Sequence, residues 1–338
     1  MKLQRYDGNP ILSPNPRNEW ESLVTTNPGA WYDADTDEVF LLYRAAGPDP
    51  EHRIYLGLAR SYDGYAFERA SDEPVFGPSP DGFDAGCVED PRVVKMDDTF
   101  FITYACRAFP PGQYWLPDRS YAPPRWPASC PAMLRENLTT SGLAITRDFK
   151  SFLRAGRVTD PRVDNRDVML FPEKIKGKYW LIHRPALAGA AYGLEHPGIW
   201  ISSSDDLLGF DGGRLLARGE RDWETKIGGN TPPLRTPHGW LTIYHAHGVD
   251  RQYRLGAMLI ARDDPTRITH RTRDWLMQPE KDYETQGYYN GVVFPCGKIV
   301  KNGTLFVYYG GADKFVGVAT CAMEELIDYL LTCPVDSR

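Results

Sequence analysis

Apolar residues fall in short runs of four to six, separated by turns rich in Asp, Gly and Pro. This is the pattern of an all-β chain with many tight connections. Helical periodicity is confined to Met323–Leu331 near the C-terminus, which reads as a short amphipathic helix capping the fold.

One unit recurs five times. A turn containing Asp or Gly leads into a bulky apolar strand that ends in an aromatic residue or His beside a polar group: VFLLYR at 39–44, FFITY at 100–104, YWLIHR at 179–184, WLTIYH at 240–245 and LFVYY at 305–309. A second strand opening on Gly follows each, at Gly57, Gly142, Gly198, Gly256 and Gly317. Taking Tyr43, Tyr104, His183, Tyr244 and Tyr308 as markers, the intervals are 61, 79, 61 and 64 residues. Such a period signals a repeat array, and about 60 residues accommodate the four short strands of a propeller blade. The pattern predicts an all-β, five-bladed β-propeller occupying 1–338 as one domain.

The long second interval contains 109–138, rich in Pro, Trp, Tyr and Arg and without strand or helix period. It reads as an insertion between strands of the second blade, placed to wall a site. Trp115 and Trp126 on it are candidates for a sugar-stacking surface. Trp20, Trp31, Trp180, Trp223 and Trp240 read as blade packing, because aromatics dominate β cores.

Composition narrows the function. A net charge of −6 gives no electrostatic basis for nucleic-acid binding. The N-terminus lacks the apolar core of a signal peptide and no stretch reaches the roughly 18 apolar residues of a membrane span, so the expectation is a cytoplasmic protein. The six cysteines show no CxxC or His-rich spacing, which predicts free, mostly buried thiols rather than a zinc site or disulfide framework. Asn137 begins a glycosylation sequon expected to go unused. The glycines form no phosphate loop opening a helix, so no nucleotide cofactor is expected, and no metal is needed.

Read as the inner strands of a propeller, the repeated strands bring the polar groups at their ends together in a central funnel, which makes Arg44, Arg184 and His245 candidates. The alternative is that each Arg pairs with an Asp of its own blade. The segment EDPR at 89–92 sets Glu89 and Asp90 beside Arg92, either a general acid or a salt-bridged turn.

EDPR, together with DVMLFPEK at 167–174, HRP at 183–185, KIG at 226–228 and VFPCG at 293–297, resembles glycoside hydrolase family 130, a family of β-mannoside phosphorylases and some β-mannosidases on a five-bladed propeller. The likeness runs from position 9 to 320. It implies that Asp90 is the general acid, its proton reaching the glycosidic oxygen through a hydroxyl of the bound mannose. It implies phosphate binding by Arg166, Arg184, Lys226 and His245, with Arg53 and Tyr253 as further candidates. It also implies that Asn27, Arg44 and Asp313, beside Glu89 and Arg92, hold the sugar. The partners are then a β-mannoside oligosaccharide and inorganic phosphate as co-substrate, with assembly into a homo-oligomer left open.

An inverting glycosidase needs a carboxylate base opposite its acid, whereas a phosphorylase replaces that base with cations that hold phosphate. The cationic set favours inverting phosphorolysis to α-mannose 1-phosphate and a shorter saccharide. The alternatives are an inverting hydrolase using a carboxylate on the insertion or near Glu195, and a non-catalytic carbohydrate-binding propeller. Two departures from the family pattern, GNTPP at 229–233 and the length of the insertion, bear on sugar and acceptor contacts.

Overall fold

The five apolar runs each form the second strand of an antiparallel sheet, and five such sheets make a β-propeller. The structure, a computed structural model, describes residues 1–118 and 120–335. Strand β1 (Gln4–Arg5) precedes the first blade, which comprises β2 (Val24–Asp33), β3 (Glu38–Ala46), β4 (Ile54–Ser61) and β5 (Glu68–Arg69). The second has β6 (Cys87–Met96), β7 (Thr99–Arg107), β8 (Thr140–Thr146) and β9 (Leu153–Arg157). The third has β10 (Asn165–Leu170), β11 (Tyr179–Pro185), β12 (Ile199–Ser204) and β13 (Arg214–Ala217). In the fourth, the first strand is split into β14 (Lys226–Gly229) and β15 (Leu234–Thr236), both pairing with β16 (Gly239–His247), followed by β17 (Tyr253–Ala261) and β18 (Asp264–Arg271). The fifth has β19 (Val293–Lys301), β20 (Thr304–Gly311) and β21 (Phe315–Ala322), with β1 returning as its outermost strand. The N-terminus thus closes the ring.

The repeated runs are apolar throughout because β3, β16 and β20 are buried on both faces. They are not innermost, as the sequence pattern suggested. The first strands β2, β6 and β19 contact one another and line the axis. They escape a pattern search because they carry bulges and residues such as Asn27-Pro28-Gly29 and Asp90-Pro91.

Four blades share an internal pin. The hydroxyls of Tyr43, Tyr104, Tyr244 and Tyr309 donate to Glu21, Asp84, Glu224 and Glu284 at 2.6–3.0 Å. Each carboxylate is paired with an Arg of the outermost strand: Arg69, Arg154, Arg271 and Arg5. A buried phenol needs an acceptor and a buried carboxylate needs a cation, so the triad ties the outer strand to the second. Gly57, Gly142, Gly256 and Gly317 lie opposite the tyrosines, where a Cβ would strike the ring. The fifth marker is therefore Tyr309, one residue beyond the expected Tyr308. The third blade departs: His183 there bonds Ser202 at 2.8 Å and Asn165 at 3.0 Å.

The C-terminal helix Met323–Leu331 buries Leu326, Ile327 and Leu330 against the fourth and fifth blades. No helix among the described residues is long and apolar enough to cross a membrane. All six cysteines are free, and Cys87, Cys106, Cys296 and Cys333 are buried. The 109–138 insertion joins β7 to β8, and Asn137 is buried with its amide bonded to Phe109 and Pro110.

Candidate active site

The first strands of blades one, two and three carry the same irregularity. An extra residue bulges out of the ladder, and that residue is Asn27, Asp90 or Asp167, at φ of 45°, 53° and 56°. Asn and Asp tolerate this left-handed region better than other non-glycine residues, and such positions store strain of about 1–3 kcal/mol at functional sites. The bulge turns the side chain toward the axis, where a cavity of about 280 Å³ opens.

One wall is acidic. Asp90, Glu89 and Asp313 line it together with Asn27 and Arg44. Asn27 Nδ2 donates to Asp90 Oδ1 at 2.8 Å, and Arg44 Nη1 lies 3.1 Å from Glu89 and 3.3 Å from Asp90. Burial raises the Asp90 carboxyl above its ordinary range. Arg44 opposes the rise, Glu89 adds to it, and Arg92 and Asn27 oppose it further. Asp313 is also raised, by burial first, with Arg44 pulling down and Asp90 and Glu89 pushing up. A raised carboxyl is shifted toward the protonated form that a general acid requires.

The other wall is cationic. Arg166 and Arg184 line it, Arg166 paired to Asp164 at 2.8 Å and Arg184 to Asp167. Both cations therefore pair within their own blade, while Arg44 pairs across to blade two. Burial opposes ionisation of Asp167, but Arg184, His245 and Arg92 outweigh it and hold the carboxyl well below the usual range. Lys226 makes no hydrogen bond among the described residues, and burial plus the charge of Arg184 lowers its ammonium to about 8. His245 is driven well below its ordinary range, chiefly by burial; its Nδ1 meets Asn230 at 2.6 Å, while its Nε2 has no hydrogen-bond partner among the described residues. Arg166, Arg184 and Lys226 thus gather beside Asp164 and Asp167, a cationic grouping suited to an anion.

The remaining expected residues are distributed unevenly. Tyr253 lines the cavity. Arg92 is buried beneath it, donating to the Asp90 carbonyl at 2.8 Å and to the Asn230 carbonyl at 3.1 Å, so it supports the bulge. Arg53 does not reach the cavity: it pairs with Glu51 at 2.6 Å and lines a separate groove. Trp115 packs edge-on to His52 at 4.6 Å and against Tyr288 at 4.5 Å, and Trp126 stacks on Phe109 at 6.0 Å. Neither tryptophan lines the cavity, whereas the neighbouring Tyr114 does. Glu195 is 91% exposed beside His196 and is not part of this cavity.

Sequence reasoning missed Asp167, Asn230, Arg107 and Tyr114. Alignment of the bulged strands, Asn27-Pro28 with Asp90-Pro91 and Asp167-Val168, would have singled out Asp167. Asn230 falls in the GNTPP departure, at the break between β14 and β15, and joins Arg92, His245 and the Pro295 carbonyl.

With this geometry in hand, comparison with known proteins is decisive. Residues 2–110 and 135–332 match the family described as beta-1,4-mannooligosaccharide phosphorylase, glycoside hydrolase family 130. The chain belongs to glycoside hydrolase family 130. It is 36% identical over 333 residues to a 1,2-beta-oligomannan phosphorylase of Thermoanaerobacter sp. (strain X514), covering 96% of this chain and 99% of that one. It is 32% identical over 279 residues to a beta-1,2-mannobiose phosphorylase of Listeria innocua serovar 6a, covering 82% and 68%. The solved structure of a Listeria innocua beta-1,2-mannobiose phosphorylase with beta-1,2-mannobiose superposes with a TM-score of 0.79 at 27% identity, covering 98% of this chain and all of that one. The family match breaks between 110 and 135, within the insertion.

Proposed function

We propose that this family 130 chain is an inverting β-mannoside phosphorylase. The observation that carries the reading is one cavity lined both by the Asp90 carboxyl, which burial raises above its ordinary range, and by Arg166 and Arg184. In the proposed reaction, a phosphate oxygen held by Arg166, Arg184, Lys226 and His245 attacks the anomeric carbon as the β-glycosidic bond breaks. The proton of Asp90 passes, through a mannose hydroxyl, to the departing oxygen. The products are α-mannose 1-phosphate and a saccharide shorter by one unit. Asn27, Arg44, Glu89 and Asp313 are assigned to the sugar.

The cationic wall also speaks against hydrolysis. Of its two carboxylates, Asp167 is engaged by Arg184 and Arg92, and Asp164 by Arg166, so neither is free to activate water. The two relatives named above both carry β-1,2 names, which supports β-1,2-mannobiose and β-1,2-oligomannans as first substrates. The test is turnover of β-1,2- and β-1,4-mannosides with and without inorganic phosphate. Sugar phosphate formed only when phosphate is supplied upholds the reading, and equal release of free mannose without phosphate refutes it.

A further inference from the structure

The segment outside the family match supplies a residue to the cavity. Tyr114 and Pro111 line it, and the Tyr114 hydroxyl donates to Asp313 Oδ2 at 3.3 Å across 199 residues of sequence. Asp313 belongs to the acidic wall assigned above to the sugar, so the phenol stands where a mannosyl unit would be gripped.

The segment is clamped in place. Gly112 N donates to the Glu51 carbonyl at 2.8 Å, and Gln113 Nε2 donates to the carbonyls of Pro48 and Asp49 at 2.9 and 3.1 Å. Trp115 wedges between His52 of blade one and Tyr288 before blade five. Asn137 pins the start by accepting from Phe109 N at 3.0 Å and donating to Phe109 O at 2.8 Å. These contacts carry the strand-free segment as a strap from blade one to blade five. The cavity of about 280 Å³ lies at the lower edge of the roughly 300–1,000 Å³ of most ligand pockets.

We propose that Tyr114 is a specificity-determining residue, held by this strap against the mannosyl position so that the enzyme prefers a disaccharide to longer β-mannosides. This deepens the phosphorylase reading and rests on it for the identity of the sugar. The hydroxyl can accept from a sugar hydroxyl while donating to Asp313, and the strap walls the cavity at Pro111 and Tyr114.

The test is calorimetric binding of β-1,2-mannobiose and β-1,2-mannotriose without phosphate, to the full chain, Tyr114→Phe, and a Gln113→Ala, Trp115→Ala double variant. Removing the hydroxyl forfeits its bond to Asp313 and its contact with the sugar, and disaccharide affinity is expected to fall about tenfold. The double variant retains Tyr114 but frees the strap, and the preference for disaccharide over trisaccharide is expected to shrink at least fivefold. Tyr114→Phe within twofold of the parent, or an unchanged disaccharide preference in the double variant, overturns the proposal. Binding is read without turnover, so failure of the phosphorylase chemistry registers separately, in the phosphate-dependent assay.

Discussion

Asp90 and Asp167 occupy the same bulge on successive inner strands, and their surroundings drive them in opposite directions: burial raises Asp90, while Arg184, His245 and Arg92 hold Asp167 ionised against it. One backbone device therefore carries the proposed proton donor on one blade and a salt-bridged carboxylate on the next. The difference lies in the partners, because Asp167 is engaged by Arg184 and Arg92 whereas Asp90 shares Arg44 with Glu89.

The neighbour Glu89 tunes the acid. A general acid acts while protonated, so activity falls as pH rises through its pKa, and a raised pKa moves that fall upward. Glu89→Gln removes a charge that raises Asp90, and the alkaline limb of the pH profile in the acid-dependent step is expected to move to lower pH. A limb that stays in place or moves up contradicts the assignment.

Phosphate binding has its own pH signature. Lys226 titrates near 8 in the free protein, so it is a cation below that pH and neutral above it. The kcat/KM for phosphate is expected to fall as pH passes about 8, by roughly tenfold for loss of one charge-assisted bond. Lys226→Gln should start low and lack this limb, which initial rates at varied phosphate would reveal.

Asp167 is expected to matter for stability as well as for the site. Arg92 and Asp167 expose only 1% and 3% of their side chains. Asp167→Ala leaves buried guanidinium groups without their carboxylate, and a loss of about 3 kcal/mol is expected in urea unfolding. A loss below about 1 kcal/mol would mean that the carbonyls of Asp90 and Asn230 suffice to hold Arg92.

The blade pins make a prediction far from the cavity. A Cβ on Gly142 would lie 2.6 Å from Tyr104 Cζ and 3.0 Å from a Phe83 ring carbon. Gly142→Ala must displace a buried ring that is hydrogen-bonded to Asp84, and is expected to lower stability by about 1–3 kcal/mol with the kinetics of the surviving folded enzyme unchanged. Thermal unfolding alongside active-site titration measures both.

The blade count was legible because the second strands are buried on both faces and so appear as unbroken apolar runs. The inner strands were not, since their bulges interrupt pairing and mix Pro, Gly and polar residues into the ladder. Asp90, Arg184 and the other motif residues could be read from ordered motifs along the chain. Asn230 could not, because its role depends on contact with Arg92 from 138 residues away. Trp115 was the plausible sugar platform by residue type, but it packs into the strap's anchor and turns Tyr114, its neighbour, to the cavity.

The most direct test is to follow, by proton and phosphorus NMR, the first product formed from β-1,2-mannobiose and inorganic phosphate by the parent protein and by Asp90→Asn. The predicted result is α-mannose 1-phosphate as the initial product, with a rate lowered on the order of 10³-fold in the variant. Free mannose released without an equivalent of sugar phosphate, β-mannose 1-phosphate as the first phosphorylated product, or a variant as fast as its parent, would contradict an acid at Asp90 working opposite a bound phosphate.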